Sequence, residues 1–458
     1  MPMTQSTFQT INPYSGEVVK TYDPWGSKGI QSAFRKGRKA FQAWSVLPVE
    51  ERAAFIRQLA RLLRIDRDTF AGWITNEMGK PISQSHAEID KCAWLCDHFA
   101  DQAMEMLALR EMTFEQKKAW LRPDPMGGIL GIMPWNYPFW QVFRYAVPTI
   151  LAGNVAFLKP APNVTGCGEA IAFLFGEALP VSDVFQCLII HEDQVESIVS
   201  DPFIRGVAFT GSVPTGALVG AMAGKYRKKS VLELGGSDPF IVLADADLDQ
   251  AVSVAAQARL TNNGQTCIAA KRFIVEEDIY DVFLEKLVSE LENWNLGDPW
   301  DENTRLSTLA REDLKKNLLS QVEESVAQGA RIHYNGNQGP NPAFGVAPLI
   351  LTDIPEGSPA FTNELFGPVF SLFRVKGEDE AVELANQTVY GLSASVWTSD
   401  PERAMDMASR LDVGTVALNQ MVSSDPRLPF GGTKDSGYGR ELGREGILEF
   451  VNLKTVVQ

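Results

Sequence analysis

The sequence predicts an α/β fold. From Gly127 to Ser212, short apolar runs bounded by Pro or Gly alternate with stretches of helical period, and the same alternation resumes near Leu232 and continues past Val396. Strands that alternate with helices form parallel βαβ units, which place ligands at the carboxyl ends of the strands. A third observation is the strand–Gly–helix passage Phe209-Thr210-Gly211-Ser212, a form that cradles phosphate oxygens at a helix N-terminus.

The elements follow in order. Ile30 to Asp66 reads as helical, because Phe34, Ala40, Phe41, Trp44, Phe55, Ile56, Leu59, Leu62 and Leu63 recur at helical spacing. A second helix runs from about Ile82 to Met106, and the polar stretch Phe114 to Arg122 reads as a small hairpin strand. Ile129 to Met133 is a strand stopped by Pro134, followed by a helix through Ile150. Asn154 to Leu158, Phe185 to Ile190 and Gly206 to Thr210 are strands; Ile171 to Ala178 and Val195 to Ser200 are helices. Beyond Leu232 come strands at Phe240 to Leu243, Phe273 to Val275 and near Phe370 and Val396. Helices follow Asp249, reach about Asn293 and span Leu318 to Gln328, and the tail Phe450 to Val457 is strand-like.

The 458 residues suffice for two or three domains. Their 45% hydrophobic and 22% charged content is that of a globular protein, and the longest apolar stretch, Ala146 to Leu158, is broken by Pro148, Gly153 and Asn154, so neither a secretory signal nor a membrane span is expected. A net charge of −15 excludes nucleic acid and anionic membranes as natural partners. It also makes individual cations inside motifs informative. Five cysteines, Cys92, Cys96, Cys167, Cys187 and Cys267, suit reduced thiols in the cytoplasm. Cys92 and Cys96 share a helix face near His86 and His98, but without ligand spacing; no metal site is expected.

Several segments carry candidate chemistry. In Asn262-Asn263-Gly264-Gln265-Thr266-Cys267, a Gly and small polar residues suit a tight turn that exposes the sulfur, and an exposed thiol of lowered pKa is a strong nucleophile. In Val231-Leu232-Glu233-Leu234-Gly235-Gly236, a carboxylate sits inside an apolar strand, where burial raises its pKa into the range of a general base. The prolines of Pro134-Trp135-Asn136-Tyr137-Pro138 fix a loop that presents the Asn136 amide as an oxyanion donor. Lys159, at a strand end, offers a cation to a ribose, and Asn363-Glu364-Leu365-Phe366-Gly367-Pro368 couples a carboxylate with an aromatic. Each has a bland alternative: an inert thiol, an ion-paired Glu, a turn-forming Asn, a solvated Lys.

Together and in this order these segments resemble the aldehyde dehydrogenase superfamily, across essentially the whole chain. Pro134-Trp135-Asn136, Phe209-Thr210-Gly211-Ser212, Glu233-Leu234-Gly235-Gly236, Gly264-Gln265-Thr266-Cys267, Glu364-Leu365-Phe366-Gly367-Pro368 and Pro429-Phe430-Gly431-Gly432 carry the resemblance. It implies a Rossmann-like cofactor domain (residues 1–113 and 126–231), an α/β catalytic domain (232–425) and a small β oligomerisation element (114–125 and 440–458) in a homodimer or homotetramer. It also implies roles. Cys267 attacks an aldehyde, Asn136 and the Cys267 N–H hold the oxyanion, and Glu233 activates water against the thioester. Ile132, Pro134, Trp135, Lys159, Pro162, Gly211, Ser212, Leu234, Glu364 and Phe366 form the site of NAD⁺ or NADP⁺.

Within the superfamily the chain most resembles the shorter bacterial succinate-semialdehyde dehydrogenases. Arg144, two helical turns beyond Asn136, and Ser424 match residues that bind the substrate's distal carboxylate there, and a cation with a hydroxyl suits such an anion. Three departures stand out. Thr261 replaces a second carboxylate-binding Arg found in some members, with Arg427 as a candidate substitute. Pro162 stands where many NAD-dependent members carry Glu, which leaves both cofactors open with a slight preference for NAD⁺. Leu306-Ser307-Thr308-Leu309 replaces Gly-Pro-Leu, with a structural effect only expected. Rival readings are glutarate semialdehyde or an uncharged aliphatic aldehyde as substrate, and a non-catalytic structural relative, against which the intact set Asn136, Glu233 and Cys267 argues.

Overall fold

Two parallel sheets face one another across the molecule, and the candidate motifs lie between them. The computed structural model describes residues 7–115, 117–337 and 342–458. The first sheet has six strands in the order Gly437–Tyr438, Lys229–Glu233, Ile204–Thr210, Gly128–Met133, Val155–Pro160 and Phe185–Cys187, parallel except for the first. The second has seven: Arg331–Asn335, Leu349–Thr352, Val369–Val375, Ala270–Glu276, Asp238–Val242, Ser393–Trp397 and Thr415–Leu418, with only the first antiparallel. The central strands of both sheets are buried along most of their length, as in Phe240-Ile241-Val242 and Phe273-Ile274-Val275. Helices cover both faces of such sheets, so the strands read as continuous apolar runs rather than alternating ones.

A third, antiparallel sheet joins Val451–Val457, Lys117–Pro125 and Arg110–Phe114. Its hairpin begins at Arg110, earlier than the sequence suggested, because the alternation Met112, Phe114 is too exposed to signal a core strand. Between residues 440 and 450 the chain is not strand but the helix Gly443–Glu449.

Other expectations need correction. The long helical segment is two helices, Ser27–Trp44 and Val49–Ile65, separated at Pro48, which has no N–H to continue a helix. A further helix, Arg67–Met78, and a hairpin, Phe8–Ile11 with Val18–Tyr22, were not foreseen. Phe185–Cys187 is shorter than expected. The second α/β unit starts at Asp238, not Leu232. Strand Lys229–Glu233 pairs with Ile204–Thr210 and completes the first sheet, and apolar content alone could not choose between the two partners.

Candidate active site

The motifs converge because the two sheets present opposite ends to one another. Asn136, Lys159, Ser212 and Glu233 lie at or just beyond the carboxyl ends of first-sheet strands, as the βαβ rule predicts. Gly236, Cys267 and Glu364 come just before strands Asp238–Val242, Ala270–Glu276 and Val369–Val375. The second half therefore contributes the amino ends of its strands, contrary to the sequence-based rule.

Cys267 sits on a turn built by three successive left-handed residues: Asn262 (φ 59°), Asn263 (φ 57°) and Gly264 (φ 76°). Such backbone is unfavourable for side-chain-bearing residues and persists only when surroundings hold it. Asn262 Nδ2 donates to the Asn136 carbonyl at 2.8 Å; Asn263 Nδ2 donates to the Thr308 carbonyl at 2.9 Å, while Asn263 Oδ1 accepts from Ser307 N. The segment Leu306-Ser307-Thr308-Leu309 thus buttresses the turn. Gly264 packs on the Gly367 backbone, where a Cβ would lie 2.5 Å from the carbonyl carbon. Asn136, buried, donates from Nδ2 to the Gln265 carbonyl at 2.9 Å, close by the Cys267 backbone. Tyr137 Oη meets Thr266 Oγ1 at 3.1 Å.

The Cys267 thiol is half-buried, and desolvation pushes it up to about 12 against the pull of Arg144 and Lys271. The lowered pKa expected of an exposed thiol is therefore absent in the free protein: the turn points the sulfur into a cavity rather than into water.

The Gly235-Gly236 pair has a direct steric cause. A Cβ on Gly236 would lie 3.0 Å from the Cys267 carbonyl oxygen and 2.7 Å from Asp238 Oδ1, and one on Gly235 would lie 2.5 Å from Glu364 Oε2. Glu364 Oε1 accepts from Gly236 N at 3.2 Å and lies 3.3 Å from Lys271 Nζ, which in turn donates to the carbonyls of Cys267 (2.5 Å) and Thr266 (3.1 Å). Lys271 and the buried Asp238, whose carboxyl desolvation lifts to about 7, were not singled out from sequence. Both sit inside an apolar strand context that carries no motif.

Glu233 is buried, with neither carboxylate oxygen hydrogen-bonded among the described residues. Desolvation first, then the charge of Glu441, raises its pKa well above the carboxylate range. Its side chain is turned toward Gly431, where a Cβ would lie 2.7 Å from Oε1, and it does not line the cavity that Cys267 lines.

That cavity, about 230 Å³, is bounded by Lys80, Glu88, Lys91, Tyr137, Trp140, Arg144, Thr261, Cys267, Ser424 and Phe430 among others. Arg144 and Ser424 are thus brought together with Cys267. Arg144 forms a 2.6 Å ion pair with Glu441 and lies over the Phe430 ring, 4.6 Å from its centroid. Arg427 is not part of this wall. It is exposed and paired with Asp425 at 2.5 Å, because its side chain points to the surface beside Trp94. Two cations on the wall, Lys80 and Lys91, escaped the sequence reading; neither belongs to a recognisable motif. Lys80 is ion-paired with Glu88 and lies 3.8 Å over the Tyr137 ring. Glu88 Oε1 also accepts from Phe139 N and Trp140 N, both at 2.9 Å, and so satisfies the first donors of helix Trp140–Leu151, which carries Arg144.

The residues expected to hold the cofactor lie at the first-sheet side. Ile132 is flanked in the sheet by Lys159 and Phe209, and the partly buried Pro134 and Trp135 follow. Trp135 meets Phe366 edge-on at 5.9 Å. Lys159 is buried, has no ion-pair partner among the described residues, and makes one long contact, 3.4 Å to the Pro160 carbonyl. Ser212 caps helix Val213–Lys225 just after Gly211, and Leu234 packs beneath that helix. Pro162 opens a short turn of 3₁₀ helix beyond Lys159. A buried lysine lacking a counter-charge, two strands away on the sheet from the start of helix Val213–Lys225, fits an anionic, hydroxyl-rich ligand such as a dinucleotide.

Among the described residues no group of three or more His, Cys, Asp or Glu is placed to hold a metal, all five cysteines are free, and no helix is long and apolar enough to cross a membrane.

The chain belongs to the aldehyde dehydrogenase family, whose sequence profile matches residues 1–456. It is 44% identical to a probable NADP(+) succinate-semialdehyde dehydrogenase of Synechocystis sp., over 98% of both chains. It is also 44% identical to the NAD(P)+ succinate semialdehyde dehydrogenase Sad of Escherichia coli K12, over 100% of this chain and 99% of that one. The crystal structure of succinic semialdehyde dehydrogenase from Streptococcus pyogenes with NADP+ superposes with a TM-score of 0.96 at 36% identity, covering 98% of this chain and 99% of that one.

Proposed function

We propose that this protein oxidises succinate semialdehyde to succinate with NAD⁺ or NADP⁺. The observation that carries the reading is the single cavity of about 230 Å³ shared by Cys267, Arg144 and Ser424. It is smaller than most drug-sized pockets, so it suits a short substrate, and it pairs a nucleophile with groups for a distal carboxylate. The similarity to succinate-semialdehyde dehydrogenases over the full length supports it.

In this reading Cys267 gives up its thiol proton to solvent and its Sγ attacks the aldehyde carbon. The developing oxyanion accepts from the Cys267 N–H and from Asn136 Nδ2, which has a second N–H beyond the one given to Gln265. A nicotinamide held here would supply the hydride acceptor, so that the adduct on Cys267 is left as a thioester. Glu233, whose carboxyl gives up no hydrogen bond on turning inward, then takes a proton from the water that attacks the thioester. Lys159, Glu364 and Ser212 would hold the cofactor's riboses and pyrophosphate, and Trp135 and Phe366, edge-on at 5.9 Å, would offer apolar surface to its flat ring. Pro162 offers no carboxylate against a 2′-phosphate, and the relatives named for NADP(+) support use of that cofactor alongside NAD⁺.

Both outer strands of the antiparallel sheet expose apolar residues, Met112 and Phe114 on one and Leu453, Val456 and Val457 on the other, which supports a homodimer or homotetramer built through it. Free cysteines throughout support a cytoplasmic protein.

Initial rates with succinate semialdehyde, glutarate semialdehyde and butanal, each with NAD⁺ and NADP⁺, test the proposal. The expected result is highest kcat/KM for succinate semialdehyde and no reduced cofactor from Cys267→Ala. Equal kcat/KM for butanal would overturn the carboxylate assignment.

A further inference from the structure

Three cations line the cavity beside Cys267, and two of them face a buried carboxylate, although Arg144 Nη2 is left without a hydrogen-bond partner among the described residues. Lys80 is paired with the buried Glu88, and Arg144 with Glu441. Lys91, on helix Ile82–Met106, has no ion-pair partner among the described residues. Asp425 and Glu88 act on it only at a distance, and Arg144 opposes its charge. Its ammonium lies 4.4 Å from the centre of the Trp140 ring and donates one hydrogen bond, 3.1 Å, to Ser424 Oγ. Burial lowers it to about 8, with Arg144 adding to the effect. A partly desolvated ammonium with spare donors gains most from an arriving anion.

Ser424 completes the arrangement. Its Oγ is buried and accepts twice, from Lys91 Nζ and from Trp140 Nε1 at 3.0 Å, and both of these groups are donors only. Both lone pairs are therefore used, and the hydroxyl proton is left to be donated. An O–H and an ammonium N–H, side by side on one wall, match the two oxygens of a carboxylate.

We infer that Lys91, held over Trp140 and hydrogen-bonded to Ser424, is a cation without a counter-charge that joins Arg144 and Ser424 in selecting aldehydes bearing a distal carboxylate. Lys91 thereby supplies the charge that Thr261 does not. The inference rests on the proposed oxidation of a carboxylated aldehyde.

The experiment compares wild type, Lys91→Met and Lys91→Arg with succinate semialdehyde and with butanal. Lys91→Met keeps the apolar stem and removes the charge. The KM for succinate semialdehyde should rise by a factor on the order of 10 to 100, that of a lost charge-assisted hydrogen bond, with a smaller effect on kcat and on the KM for butanal. Lys91→Arg should restore much of the loss. Equal changes for both aldehydes, or no change, would overturn the role of Lys91. A wild type without preference for succinate semialdehyde would instead overturn the proposed function, so the two failures are distinct. A second measurement covers a poorly active variant: succinate should slow alkylation of Cys267 by iodoacetamide in wild type and lose that protection in Lys91→Met. Protection retained in the variant would count against the inference.

Discussion

Arg144 and Glu441 form an ion pair of 2.6 Å with both side chains almost wholly withdrawn from water. The pair ties the helix that follows the Asn136 loop to the segment that packs over Glu233. Removing one member leaves a buried charge uncompensated, which costs roughly 3–5 kcal/mol, whereas replacing both with apolar residues costs much less. Glu441→Gln is therefore expected to lower the thermal midpoint markedly, and Arg144→Met with Glu441→Leu to recover much of it. Differential scanning calorimetry of wild type and the two variants checks this; a Glu441→Gln variant as stable as wild type would mean that the pair contributes nothing.

A methyl group at Gly236 collides with the Cys267 carbonyl. Gly236→Ala should displace the Cys267 backbone and, if Cys267 reacts as proposed, lower kcat by about 10²-fold, the usual cost of misplacing a reacting group by an ångström. Gly176→Ala, at an exposed position of helix Thr165–Ala178 with open space at its Cβ, serves as the comparison and should leave kcat unchanged.

Burial pushes the Cys267 thiol up to about 12. Its alkylation by iodoacetamide without cofactor should accelerate roughly tenfold per pH unit between about pH 7 and 10, as the thiolate fraction does. A plateau near neutrality would show a thiol already ionised. Mass spectrometry of the Cys267 peptide reads the rate.

Glu233 has a raised pKa, so its basic form is lost as pH falls through that value and regained above it. Hydrolysis of the thioester should accordingly speed up with rising pH. Glu233→Gln should still release one equivalent of NADH or NADPH in a burst, then turn over about 10²–10⁴-fold more slowly, with little remaining pH dependence. Stopped-flow absorbance resolves the two phases; absence of a burst would assign Glu233 to an earlier step.

Much of the site was legible because its motifs follow local backbone chemistry. Gly264 belongs to a left-handed turn, Gly211 precedes a helix start, and the prolines around Asn136 fix a loop. What could not be read depends on contacts between distant segments. Gly235 and Gly236 are needed because Glu364 and the Cys267 carbonyl approach them, from residues far along the chain. Arg427 and Lys91 are both lone cations in the sequence, yet one turns outward to Asp425 and the other inward to Ser424, 333 residues away.

Order and chemistry of the motifs alone thus identified the α/β fold, the family resemblance and the candidates Cys267, Glu233 and Asn136, because strand periodicity and turn residues are encoded locally. Tertiary structure decided three other matters. It set the second sheet's amino ends against the first sheet's carboxyl ends. It enclosed the Cys267 thiol, and so raised its pKa. It chose which cavity cation is left without a counter-charge, a question settled by burial and pairing between segments that the sequence holds far apart.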